Sequence, residues 1–231
     1  MSDFRPKIKK IALDNTKLNL QTPNTVGKTA TLKWGLKKNN PQLTVWTNEP
    51  NDTKDYGKIV AATDTPHFYS FLEMLRSAAL ATEEVRYSID CKNFTWANGK
   101  RSEAPIVTAR LVCGRDDKGC VFISVVAHGR PNLKFTVAPN TWHSFRDQQG
   151  NEMPASDASK FFTLGLVSSI EKMMANLQIT EYVEPEPPKQ QGGGGYGGGA
   201  GQGNQGGGGG YGGGARSAPT PSIAEDDIPW G

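Results

Sequence analysis

Lys28-Thr29-Ala30-Thr31-Leu32-Lys33-Trp34-Gly35-Leu36-Lys37-Lys38 alternates without a break. Ala30, Leu32, Trp34 and Leu36 fall on one side; Thr29, Thr31, Lys33, Gly35 and Lys37 fall on the other. A period of two is that of a strand with one face in a core and one in water. Asn39-Asn40-Pro41 supplies a turn, and Gln42–Thr47 reads as the returning strand with Leu43 and Val45 inward. The hairpin sends Trp34 to the core. It leaves Lys33 and Lys37 on the outward face of one strand and Trp46, with Gln42 and Thr44, on that of the next.

The same pattern extends in both directions. Upstream, Ile11 to Leu20 is a short apolar alternation. Downstream, Asn48–Tyr56 is a polar loop and Lys58–Ala62 a short third strand. Thr65-Pro66 opens a helix with the proline at its first position, and Phe68, Phe71, Leu72, Leu75 and Ala79 recur at helical spacing to pack on the sheet. Val85–Trp96 alternates again, Ala97-Asn98-Gly99-Lys100 holds an Asn-Gly hairpin turn, and Pro105–Cys113 returns. After a turn at Arg115–Gly119, Cys120–Ala127 is apolar on both faces, as a central strand is. Leu133–Val137 is a further short strand. Pro154–Leu177 is a long helix with Ser156 or Asp157 as N-cap and a stripe of Phe161, Leu164, Val167, Ile170, Met174 and Leu177. The expectation is a mainly β, α+β domain: an OB-like Greek-key barrel with an inserted helix and a long C-terminal helix. The pattern alone leaves barrel and sandwich open.

Composition divides the chain into residues 1–182, a folded domain; 183–222, a glycine-rich linker; and 223–231, an acidic tip. Seventeen of the 27 glycines lie between Gly192 and Gly214, where Tyr196 and Tyr211 are the only large side chains. So little apolar surface cannot offset the entropy of ordering, so the linker is expected to be disordered. The net charge of +3 is also uneven. Residues 183–231 carry five acids against Lys189 and Arg216, leaving 24 basic against 18 acidic residues on the domain. A basic body suits a polyanion. Cys91, Cys113 and Cys120 are odd in number and lack CxxC spacing, which reads as reduced, buried thiols. No apolar run approaches a membrane span and no apolar leader follows Met1, so a cytoplasmic location without membrane contact is expected.

Enzyme chemistry finds no purchase. His67, His128 and His143 lie in unrelated segments without HExxH spacing, and there is no GxSxG elbow or P-loop. The glycine matches of Gly192–Gly214 have no strand before them or helix after them, so they cradle no phosphate. No catalytic residue, metal or cofactor is expected. The outward faces of the strands say more. Beside Lys33, Lys37 and Trp46, the Val85–Trp96 strand puts Arg86, Ser88, Asp90, Lys92, Phe94 and Trp96 outward, opposite Val85, Tyr87, Ile89 and Cys91. Arg110 lies outward on the returning strand, and Lys100 and Arg101 at the hairpin tip. Rings interleaved with cations suit a single strand, whose bases stack at roughly 1–3 kcal/mol each while Lys and Arg follow the phosphates. The competing use of Trp46, Phe94 and Trp96 is packing under loops or the terminal helix. Lys118–Val125 faintly echoes an RNA-recognition octapeptide, but without its aromatic at Cys120.

The tail is more specific. Glu225-Asp226-Asp227-Ile228-Pro229-Trp230-Gly231 places three carboxylates directly before an apolar, aromatic tip. Such a tip fits an apolar pocket rimmed by Lys or Arg. The tail closely resembles that of bacterial and phage single-stranded DNA-binding proteins, which end in Asp-Asp-Ile-Pro-Phe after a Gly/Gln/Pro-rich linker. Trp230 stands where the family has phenylalanine, and Gly231 follows it. The larger domain with extra helices looks like that of a phage-encoded member. The resemblance implies an OB fold, protection of single strands in replication, recombination and repair, and location in a bacterial host cell. It also implies recruitment of proteins such as a polymerase, helicase or primase through Asp226, Asp227, Ile228, Pro229 and Trp230. It carries over no homotetramer, and self-association stays open.

The DNA-binding residues expected are thus Lys33, Lys37, Trp46, Lys92, Phe94, Trp96, Lys100, Arg101 and Arg110. The alternatives are a glycine-rich RNA-binding protein or RNA chaperone, whose RG repeats are missing here, and a structural protein using the tail as a tether. A nuclease would need an acid cluster that the sequence does not place together.

Overall fold

The computed structural model describes residues 11–184 apart from Asn98. Two short 3-10 turns, Ala12–Asp14 and Thr16–Leu18, lead into β1 (Leu20–Pro23), β2 (Thr29–Lys37), β3 (Asn40–Trp46) and β4 (Lys58–Ala62). Helix α1 (Thr65–Leu80) follows. Next come β5 (Val85–Asn93), β6 (Trp96–Ala97), β7 (Lys100–Arg101), β8 (Ile106–Arg115), β9 (Val121–Val126) and β10 (Lys134–Thr136), then helix α2 (Ala155–Thr180).

The result is a mixed α/β domain with two four-stranded antiparallel sheets, β1-β2-β3-β4 and β10-β9-β8-β5, and a separate β6-β7 hairpin. Four strands followed by a helix occur twice, the second time with β6-β7 inserted between β5 and β8. Each sheet is a meander, so the Greek-key exchange expected from the sequence does not occur within either one. β1 comes close to β10, and β4 to β8 and β9, so both edges of the first sheet approach the second in a barrel-like way. Strand β1 is the element the sequence pattern missed. The first hairpin turn also sits earlier than expected: Lys38 takes it with φ 55°, and Asn40 and Pro41 already belong to β3.

The inner faces of both sheets close on the helices. Leu32, Trp34, Leu43 and Val45 of the first sheet share one core with Leu111, Cys113, Ile123 and Val125 of the second. Phe68, Phe71, Leu72 and Leu75 of α1 and Val167, Ile170 and Met174 of α2 complete it. Trp34 meets Phe68 edge to face, with centroids 6.2 Å apart. The start of α1 is fixed by Asp64, whose carboxylate accepts from the His67 amide at 2.9 Å, with Pro66 in the first turn. β9 is buried along its whole length, as its doubly apolar sequence requires.

Helix α2 corrects the sequence reading at its start. It begins at Ala155 after Pro154, with no side-chain cap from Ser156 or Asp157. The stripe holds from Val167 onward, but Phe161 is 52% exposed while Ser159 and Thr163 are fully buried. Backbone hydrogen bonding decides this. Ser159 Oγ accepts from the Val121 amide at 2.9 Å and donates to the Val137 carbonyl at 2.6 Å, satisfying groups that neighbouring strands leave open. Periodicity of apolar residues carries no trace of that need.

Phe68→Ala is expected to cost about 3–5 kcal/mol of unfolding free energy as a buried aromatic deletion. Ser159→Ala should cost about 1–3 kcal/mol by stranding two buried backbone groups. Urea unfolding midpoints at constant m-value check both.

Candidate nucleic-acid interface

Alternation in β2 and β3 puts Lys33, Lys37 and Trp46 on the outer face of the first sheet, as the sequence predicts. Cross-strand register then adds neighbours. Trp46 lies opposite Thr31 on one side and Lys58 on the other, while Lys33 lies opposite Thr44. Lys58 Nζ stands 5.6 Å from the centroid of the Trp46 ring, close enough for cation–π attraction. Lys58 was within reach of the sequence argument, because it shares a face with Val60 and Ala62 in a strand already identified. Trp46 itself is 36% exposed, its indole neither buried nor fully free.

The second group of residues gathers on the β6-β7 arm. Trp96 is 71% exposed and pairs across the hairpin with Arg101; Ala97 pairs with Lys100. The Arg101 guanidinium sits 3.5 Å from the Phe94 ring centroid, covering a half-buried ring at the arm's root. Thr95 and Ser102 clamp that root: the Thr95 amide donates to Ser102 Oγ at 3.2 Å and the Ser102 amide to the Thr95 carbonyl at 2.8 Å. Gly99 turns the tip with φ 74°, a left-handed conformation that glycine adopts without strain.

Two further residues sit between these groups or apart from them. Lys92 is exposed at the end of β5, opposite Val107. The ladder shifts there, but the extra residue is Thr108 on β8, so β5 keeps its own alternation. Arg110 differs from the other cations. Its Nε lies 2.6 Å from Asp90 Oδ1 on the adjacent strand, and its side chain is only 16% exposed. Among the described residues, no carboxylate pairs with Lys33, Lys37, Lys92 or Lys100.

The outer faces of the two sheets contrast. On the second, Val112, Phe122 and Val126 form a buried cluster with Val107 against it. Gly114 makes room: a Cβ there would strike the Val85 carbonyl and the Phe122 ring. Lys134 spans Phe122 and pairs with Asp116 at 3.0 Å. That face is closed; the first is open.

No family model, curated protein or solved structure matches this chain. The interface therefore rests on its own geometry. Two cavities lie between β4 and the second sheet. One of about 200 Å³ is lined by Ala62 and Thr63 at the end of β4 and by Ile89 to Lys92 of β5. The other, about 460 Å³, is lined by Lys58, Val60, Lys54, Arg130 and Thr108. Tyr56, 94% exposed, stands at the start of β4 beside Asp55, both with left-handed φ of 56° and 49°. Two consecutive non-glycine residues in that region cost energy that surrounding contacts must offset.

Arg130 and Asp52 supply such contacts. Their side chains are 4% and 3% exposed, with Arg130 Nε 2.6 Å from Asp52 Oδ1. Arg130 Nη2 donates to Asp52 Oδ2 at 2.9 Å and to the Lys58 carbonyl at 3.2 Å, and Nη1 is 3.6 Å from Asp55. Burial would raise the Asp52 carboxyl, but hydrogen bonds from Arg130 and Thr47 and the nearby positive charge outweigh it and hold it below its ordinary value. The pair pins the β3–β4 loop to the segment after β9. Burial pushes the Cys91 thiol up to about 11, with Asp90 adding to it, and the Cys113 thiol higher still, so neither is a thiolate at neutral pH.

Asp226, Asp227, Ile228, Pro229 and Trp230 lie outside the described residues. Among the described residues, no three His, Cys, Asp or Glu side chains cluster as metal ligands would, and no helix is long and apolar enough to cross a membrane.

Arg130→Ala should destabilise the domain by about 3–5 kcal/mol by leaving a buried carboxylate unpaired. Because the folded Asp52 carboxyl titrates below its unfolded value, its stabilisation is complete above about pH 4 and fades as pH falls through the folded value. Unfolding free energies between pH 2 and pH 6, on the order of one point per half unit, should therefore fall more steeply for the wild type than for Asp52→Asn.

Proposed function

We propose that this chain binds single-stranded DNA with little sequence preference, through the outer face of the first sheet and the β6-β7 arm. The supporting observation is that exposed rings share these surfaces with cations that no described carboxylate pairs with: Trp46 with Lys58 beside it, Lys33 near it and Lys37 at the far end of β2, and Trp96 with Lys100 and Arg101. Rings offer every base a stacking surface, and lysines neutralise phosphates without reading sequence. Duplex DNA hides its base faces, so a flat ring on an open sheet gains less from it.

Within this reading, Phe94 stiffens the arm beneath Arg101, and Lys92 continues the cationic path from the sheet to the arm. Arg110 serves chiefly to hold β8 to β5 through Asp90. The reading takes from the OB-type barrel its manner of binding, a curved β surface with rings and cations, rather than its strand order. It contains no catalytic step and needs no metal or cofactor.

The tip has a separate task. Asp226, Asp227, Ile228, Pro229 and Trp230 would enter an apolar pocket on replication or recombination proteins such as a polymerase, helicase or primase. The resemblance of the tail is the ground for assigning this work to replication, recombination and repair, in the cytoplasm of a bacterial host.

Fluorescence titration of oligo-dT checks the binding reading. Trp46→Ala combined with Trp96→Ala should weaken binding at least about tenfold, and affinity should fall with rising salt as counterions are displaced. Removing residues 225–231 should leave DNA affinity equal or higher while ending partner recruitment in pull-downs. Preference for oligo-U of equal length would favour the RNA reading, and no binding at low salt would favour a tether.

A further inference from the structure

A cavity of about 560 Å³ lies where β1 meets the segment after β10, and six of its lining residues bear on ligand binding: Lys17, Asn19, Gln21, Asn140, Trp142 and Phe162. Trp142 is 79% exposed, more than either ring assigned above. What sets Trp142 apart from a lone exposed ring is that it lines a cavity together with a cation and two amides.

Its loop is built to hold it there. The side chain of Asn140 accepts from the Trp142 amide at 3.0 Å, and the Asn140 carbonyl accepts from the His143 amide at 3.2 Å. These bonds close a turn that fixes the backbone from which the ring projects. The amides of Asn19 and Gln21 stand in the same cavity, and Lys17 gives it a cation that no described carboxylate pairs with.

Register connects the cavity to the interface. Lys58, Trp46, Thr31 and Gln21 are successive cross-strand partners along one row of the open face, from β4 to β1. Gln21 ends that row and also lines the cavity. Trp46 and Gln21 are two strands apart, roughly 10 Å at the usual spacing.

We infer that this cavity is a further nucleotide subsite, in which Trp142 stacks on one base, Lys17 meets the adjoining phosphate, and Asn19 and Gln21 hydrogen-bond the base edge. The inference rests on the single-strand reading and extends it: a strand crossing the open face along the Lys58–Gln21 row ends its track here. The amides make this position responsive to base identity, unlike the rings of the sheet. A short strand occupies the sheet alone; a longer one gains the subsite.

The test is an affinity series with the full-length chain and oligo-dT of about 6 to 24 nucleotides, for wild type, Trp142→Ala, Trp142→Phe and Trp46→Ala. Trp142→Ala should bind the shortest oligonucleotide that wild type binds with unchanged affinity and lose about fivefold or more on long ones, with Trp142→Phe recovering most of it. Circular dichroism should match wild type, since the ring is exposed. Equal affinity of wild type and Trp142→Ala at every length, with Trp46→Ala still weakened, overturns the subsite and leaves the sheet interface standing. Wild type that binds no oligonucleotide overturns the interface and the subsite with it.

Discussion

Trp34 and Phe68 meet edge to face beneath the first sheet, and that contact decides which way the whole sheet looks. Side chains in a strand alternate, so seating Trp34 with Leu32 in the core leaves Lys33 and Lys37 no place but water. A slip of one residue would put lysines against Phe68 and indole outside, at the cost of burying charge. Register then carries the choice from β2 to β3 and β4, where Trp46 and Lys58 are placed on the same outward face. The surface proposed here for binding is thus a by-product of how the core is filled.

The twofold use of four strands and a helix makes the difference between the halves informative. Both sheets give their inner faces to α1 and α2, and both could offer an outer face. The second closes its own with Val112, Phe122 and Val126 and satisfies Arg110 and Lys134 with Asp90 and Asp116. On the first, no described carboxylate pairs with Lys33 or Lys37. Among the described residues, Arg110 and Lys134 of the second sheet have carboxylate partners while Lys33 and Lys37 of the first, like Lys92 near the end of β5, have none, a pattern invisible in a net charge of +3. Between the halves, the buried Arg130–Asp52 pair locks the loop that carries Tyr56 and leads into Lys58, so the open face is held by a bond across the domain.

Much of this was legible in the chain itself. Alternation located β2 and β5, a run apolar on both faces located β9, and apolar helical spacing located α1, because each carries its signal within its own segment. What escaped has no local signal. Strand β1 is four residues long and earns its place by pairing with β2. Ser159 is buried, and Phe161 exposed, because of backbone groups on distant strands. Arg110 reads as a free cation until Asp90, twenty positions away, is set beside it by register. Trp142 sits in a stretch without periodicity, and only the meeting of β1 with the 136–142 segment gives it company.

A single strand is proposed to lie on the open face of the first sheet and on the β6-β7 arm. Photo-cross-linking of the intact protein to oligo-dT, followed by peptide mapping, tests it most directly. The account predicts adducts concentrated in the peptides bearing Trp46 and Trp96, and few in β8 and β9. Adducts confined to the outer face of the second sheet or to the exposed sides of α1 and α2 would contradict it.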